Sequence, residues 1–327
     1  MKKKLLISSL CLLAAGSGLK LAFSPANADT PAVNNPSPVV ESTQAAPATR
    51  SQLQLLDAGA EPRQELRFSP VVNAKQTLTI TTNLDMVTAI AGQPIPSFKI
   101  PASRMTMETV VTQVDPNGDI HFDFSYTDGD VVADSSASPE VVNAVRSTLQ
   151  KMVGIKGSYV IDNRGQVKST NVDLPEDLDP RSKQLLEQVF SSLEQLSSPV
   201  PEEAVGIGAK WRVSSSPTFS GMNLNQNTVY ELVSLQDNVA TLNANIEQEA
   251  ASQNLSIPGL PTTAKLNLKS LDSQGQGQVV MQLDEAMPMR SSISIRSNTA
   301  MDVEMSQGKT TPIETNLTMQ INLESQP

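Results

Sequence analysis

The chain has 327 residues, with 24 basic against 34 acidic side chains, one histidine, one cysteine and 3% aromatic residues. Nucleic acid and anionic membrane surfaces are poor partners for such a balance, because affinity for both comes mainly from Lys and Arg. One histidine leaves no multi-histidine metal site, and one cysteine leaves no internal disulfide.

Met1-Lys2-Lys3-Lys4, the apolar run Leu5–Ala15 and the small-x-small site Ala26-Asn27-Ala28 together predict a secretory signal peptide over residues 1–28. The apolar run is shorter than the about 20 residues that a membrane-crossing helix needs. Cleavage after Ala28 takes away four lysines and Cys11, leaving 20 basic and 34 acidic residues and no membrane span. Residues 29–63 are rich in Pro, Ala, Ser and Thr without an apolar period, and are expected as a disordered linker. One β-rich domain is expected over residues 64–327.

Within that domain the apolar residues recur with period two. Leu78, Ile80, Leu84 and Met86 share one face of an expected strand. Two further strands flank Asp115-Pro116-Asn117-Gly118-Asp119, with Val114 opposite Ile120 and Val110 opposite Phe124. Gly92–Pro101 carries three prolines and is expected as a loop. Ser138-Pro139-Glu140 opens a helix with the stripe Val142, Val145, Leu149 and Met152, which Gly154 ends. Asp179-Pro180 opens a second, with Leu185, Leu186, Val189, Phe190, Leu193 and Leu196. Between the two helices a hairpin turns at Asp162-Asn163-Arg164-Gly165. Strands follow at Ala209–Val213, Thr228–Leu235, Val239–Glu247, Ala264–Leu271 and Gly277–Leu283, with a turn expected at Ser273–Gln276. The last two strands pair through Ser306-Gln307-Gly308, a register that sets Met301 beside Ile313 and Ile295 beside Met319. The expected fold is α+β: a large, strongly curved antiparallel sheet of about a dozen strands, with two helices on its apolar concave face.

Catalytic signals are weak. His121 lies between Ile120 and Phe122 and is expected on a solvated face. Asp115–Asp119 has Ile120 and Tyr126 where a calcium loop needs Gly and Glu. Gly206-Ile207-Gly208 lacks the third glycine of a dinucleotide loop. No catalytic, cofactor or metal residue is assigned. Met301, Met305 and Met319 fall on the apolar face of the last pair, where flexible thioethers serve either as core filling or as an apolar lining. With Ile295, Leu186 and Phe190 they form the candidate site for an apolar ligand.

Ala204-Val205-Gly206-Ile207-Gly208-Ala209-Lys210-Trp211-Arg212-Val213, followed by Tyr230-Glu231-Leu232, resembles an uncharacterised bacterial family of secreted proteins and lipoproteins with a Val-x-x-Gly-x-x-Trp-like segment. Leu66-Arg67-Phe68 and Lys75–Thr82 look like that family's first strands, so the resemblance spans about Gln64 to Glu324. This chain departs from its lipoprotein members in lacking a lipobox. The resemblance implies no activity. The expected shape is also similar to that of bacterial lipoprotein-carrier-like envelope proteins. The expectation is therefore a non-enzymatic exported protein of the periplasm or extracellular space, acting by binding or scaffolding. Its partner is an envelope protein or an apolar small molecule; in the alternative, the chain is a carrier or sensor of a lipid held between sheet and helices.

Overall fold

The computed structural model describes residues 51–95, 99–132, 137–174, 198–219, 222–255, 265–305 and 309–326. The strands are β1 (Gln52–Asp57), β2 (Lys75–Ile90), β3 (Gln93–Pro94), β4 (Ser103–Val114) and β5 (Ile120–Val131), then, after helix α1 (Pro139–Gln150), β6 (Lys156–Ile161) and β7 (Val167–Asp173). The second half adds β8 (Lys210–Ser215), β9 (Thr218–Phe219), β10 (Met222–Asn223), β11 (Asn225–Gln236) and β12 (Val239–Ala250). It ends with β13 (Gln253–Leu255), β14 (Lys265–Gln282), β15 (Arg290–Met305) and β16 (Lys309–Gln326). One antiparallel sheet runs β1-β8-β11-β12-β14-β15-β16-β2-β4-β5-β6-β7, with β13 on β14 and β3 on β2. It does not close, and β1 and β7 are its edges.

Period-two alternation decides which face is which. On β14, Ser273, Val279 and Met281 are buried while Asp272, Gln274, Gln276 and Gln278 are exposed. On β12, Leu242, Ala244 and Ile246 point in and Asn243, Asn245 and Glu247 point out. A lipid-spanning barrel needs an apolar outer band, and this outer face is amide- and acid-rich. No helix among the described residues is long and apolar enough to cross a membrane.

The two flanks of the sheet curl toward each other and are tied at one end. Phe68 N–H donates to Asn163 O at 2.7 Å, in the β6–β7 turn, and Val200 N–H donates to Arg164 O at 2.9 Å. Gln64 and Val205 exchange backbone bonds of 3.0 and 2.9 Å. The Arg67 guanidinium donates to Pro201 O at 3.0 Å and Glu202 O at 2.6 Å. Phe68 packs against two buried clusters at once: one around Leu78, Met105, Phe124 and Tyr126, the other around Leu66, Trp211, Leu242 and Met281. These ties make the inner face concave. A third cluster, with Leu266, Leu268, Met301, Val303 and Ile313, lies at the far end of the long strands.

Helix α1 covers the inner face of β4 and β5, burying Val145 and Leu149 in the first cluster. Gly129 permits this contact, since a Cβ there would stand 2.7 Å from Met105 Sδ and 3.0 Å from Leu149 O. Among the described residues α1 is the one helix; the second expected helix, over Asp179–Leu196, lies outside them.

Four expectations are corrected in detail. Strand β1 falls inside the stretch expected as linker: Leu53 and Leu55 pair with Val213 and Trp211 of β8, so the ordered domain takes in Gln52–Asp57. Gln93-Pro94, expected in a loop, forms the short β3 at the end of β2. A bulge between Val111 and Gln113 shifts the β4–β5 register, so Thr109 rather than Val110 faces Phe124. No turn occurs at Ser273–Gln276, because inward and outward positions keep alternating through it and β14 continues as one strand. The register expected for the last pair is present, with Met301 opposite Ile313 and Ile295 opposite Met319.

Candidate functional site

The middle of the concave face is built from β12, β14, β15, β16 and β2. One rung across it reads Ile246, Gly275, Ile295, Met319 and Leu84, and the next Ala244, Gly277, Ile293, Ile321 and Thr82. Ile293, Ile295, Leu317, Met319 and Ile321 are half-buried, whereas the clusters at both ends are buried. Gly275 and Gly277 leave room for the isoleucines that lean over them. A Cβ at Gly275 would stand 2.9 Å from Ile295 Cγ1, and one at Gly277 would stand 2.8 Å from Ile293 Cγ1. The result is an apolar trough with a smooth floor. On β15 the trough's rungs at Ile293 and Ile295, with the two rungs beyond them to Thr299, span about 20 Å at about 3.3 Å per residue.

A polar belt borders the trough on the side of the third cluster. One rung carries Gln226, Gln248, Ser273 and Ser297; the next carries Thr299, Thr315 and Thr88. Gln248 Nε2 donates to Gln226 Oε1 at 2.6 Å, and Ser273 Oγ donates to Ser297 Oγ at 2.8 Å. Of the Thr88 and Thr315 hydroxyls, 3.3 Å apart, one donates to the other. Ser273, Ser297, Thr88 and Thr315 are all buried. None of these rungs carries an ionisable side chain. Few polar groups on an otherwise apolar concavity is the composition of a small-molecule site.

The sequence-derived candidates divide. Ile295 and Met319 face each other in the trough. Met301 does not line it; it is buried among Leu268, Val303 and Ile313 in the third cluster, because a bulge in β14 at Leu268/Ser270 brings Leu268 opposite it. Met305 ends β15 opposite Lys309, and its side chain lies outside the described residues, as do Leu186 and Phe190. The turn expected at Ser273–Gln276 hides the belt from sequence reasoning, since Ser273 and Gly275 lie inside it. The signal that finds it is the unbroken alternation of Leu271, Ser273, Gly275, Gly277 and Val279 against four polar neighbours.

Other ionisable groups serve structure. His121 is half-buried rather than solvated, and its Nε2–H donates to Asp115 Oδ2 at 2.9 Å. That bond, with one from Gln113, holds the Asp115 carboxyl below its ordinary range. Lys168 does the same for Asp119. Burial, then the neighbouring Asp284, pushes the Glu285 carboxyl up; Gln76 Nε2 donates to it at 2.9 Å while Gln76 Oε1 accepts from Met287 N–H at 3.1 Å. Among the described residues no group of three or more His, Cys, Asp or Glu side chains could hold a metal. Trp211 is a core anchor: fully buried, stacked on Tyr230 at 5.8 Å, its Nε1–H donating to Pro199 O at 2.9 Å.

A family of unknown function, DUF6263, matches over residues 183–271, a stretch that includes Val205–Trp211. No curated protein matches the chain. Among solved structures, a triple mutant of Rh. blastica porin is 10% identical, covering 75% of this chain and 99% of its own at a TM-score of 0.17. A second Rh. blastica porin mutant is 9% identical, covering 76% and 99% at a TM-score of 0.17. Scores this low carry no structural inference.

Proposed function

We propose that the chain is an exported, non-enzymatic binding protein whose concave face holds the apolar part of a small molecule. The observation that supports this reading is the trough of Ile293, Ile295, Leu317, Met319 and Ile321, half-buried between clusters that are fully packed. Burying such side chains under a ligand is worth about 25 cal/mol for each Å² taken from water. The signal peptide over residues 1–28 and the tether behind it belong to the same reading, as does a second helix over Asp179–Leu196 packed, like α1, on the concave face.

Titration with a neutral fluorescent dye, phenylnaphthylamine, tests it. One saturable site is expected, lost in Ile295→Trp and Met319→Trp without loss of thermal stability, and retained in the outward-facing control Asn322→Trp. Dye uptake that ignores both trough substitutions refutes the assignment. A protein that binds no dye but copurifies with one stoichiometric protein partner supports scaffolding instead.

A further inference from the structure

The polar belt specifies the chemistry of the ligand, and this inference rests on the concave-face reading above. In a hydroxyl pair one O–H donates to the other oxygen, so one proton per pair remains to be given. Ser273 spends its proton on Ser297, which leaves the Ser297 hydrogen; the Thr88–Thr315 pair likewise keeps one. Among the described residues neither pair passes its remaining proton to another acceptor. All four residues are buried, and a buried donor without an acceptor is costly. The belt therefore offers two O–H donors, one rung apart, at the border of an apolar trough.

The acceptor that fits is uncharged. No Lys, Arg or His lies on the rungs of the trough or the belt to neutralise an anion. Burying a lone carboxylate or phosphate there would carry a desolvation cost that two neutral hydroxyls do not offset. An ester or amide carbonyl accepts one or both bonds with no charge to desolvate. Gln226 and Gln248, half-buried on the same belt, add amide groups able to meet a hydroxyl or a second carbonyl. We infer that the ligand is a neutral acyl ester or amide, its carbonyl at the Ser297/Thr315 belt and its hydrocarbon chain along Ile295, Met319, Ile293 and Ile321.

Competition against bound phenylnaphthylamine tests this with matched chains: methyl palmitate, palmitate ion and heptadecane. Methyl palmitate is expected to displace the dye at a concentration about tenfold or more below either other compound, the effect of one well-formed buried hydrogen bond. Ser297→Ala should narrow that preference. The double change Thr88→Val with Thr315→Val removes both partners of its pair, so no hydroxyl is orphaned, and it should narrow the preference too while dye binding persists. Equal displacement by palmitate ion or heptadecane overturns the inference while leaving the concave-face reading intact. So does an ester preference that survives both variants. Absence of dye binding overturns both.

Discussion

Gly206 is where the segment after β1 is fastened to the segment that enters β8, and its replacement by alanine gives the sharpest test of that tie. A Cβ at Gly206 would stand 1.7 Å from Ala60 O, 2.9 Å from Ala60 C and 3.1 Å from Pro62 O. Ordinary contact begins at 3.4 Å, so residues 60–62 must retreat by roughly 1.5 Å or more to reach van der Waals separation. That retreat breaks the bonds from Ala60 N to Ile207 O and from Gly206 N to Ala58 O, both 2.9 Å, and loosens the Gln64–Val205 pair. Four backbone bonds at about 0.5–1.5 kcal/mol each put the loss at about 2–6 kcal/mol. Gly208→Ala is the control. Its φ of +83° strains any side chain, but no atom lies within 4 Å of the added carbon, so only about 1–2 kcal/mol is expected. Urea denaturation of both variants measures the difference, and limited proteolysis should cut between Gln52 and Arg63 in Gly206→Ala alone. Equal losses in the two variants, or a Gly206→Ala change within 0.5 kcal/mol of zero, refute the reasoning.

Met301→Ala should cost about 2–5 kcal/mol, the range for a truncated core side chain, whereas half-buried Met319→Ala should cost clearly less; chemical denaturation of the two ranks them. The raised Glu285 carboxyl contributes stability that is complete below its unfolded pKa and lost as pH rises through its folded value. Glu285→Gln keeps an acceptor for Gln76, so its melting temperature relative to the parent should climb as pH rises above the ordinary carboxylate range; a flat difference denies the linkage. Asp115 works in the opposite direction: its lowered carboxyl loses its contribution as pH falls, and Asp115→Asn should flatten the acid limb of the same melting curve. Fully buried Trp211 should emit at short wavelength and resist iodide quenching until the chain unfolds.

Strand patterning made much of this fold readable before any coordinates. The β15–β16 register followed from keeping Met301, Ile295 and Ile293 beside apolar partners, since a slip of one residue would put Glu314 against Met301. Helix α1 was readable from Ser138-Pro139 and a four-residue stripe. The site was harder. Ser273, Gln274, Gly275 and Gln276 have the composition of a turn, and only the neighbouring strands force them straight. Met301 and Met319 look equivalent in sequence, yet a bulge in β14 places one in packed core and the other in the trough. Strand β1 was hidden because Leu53 and Leu55 alternate too briefly to stand out from a Pro/Ala-rich background.

The place of β16 between β15 and β2 has a consequence for synthesis. Thr88 and Thr315, hydrogen-bonded neighbours, are 227 positions apart, so the first long strand waits for the last before its edge is covered. Until residue 326 has emerged, β2 and β15 both present bare ladders, and such edges recruit other chains. A ribosome-bound or truncated product lacking β16 is therefore two half-sheets with no ladder between β15 and β2. Holdase chaperones should capture that species, and a stop codon near Met305 should give aggregate rather than a shortened domain.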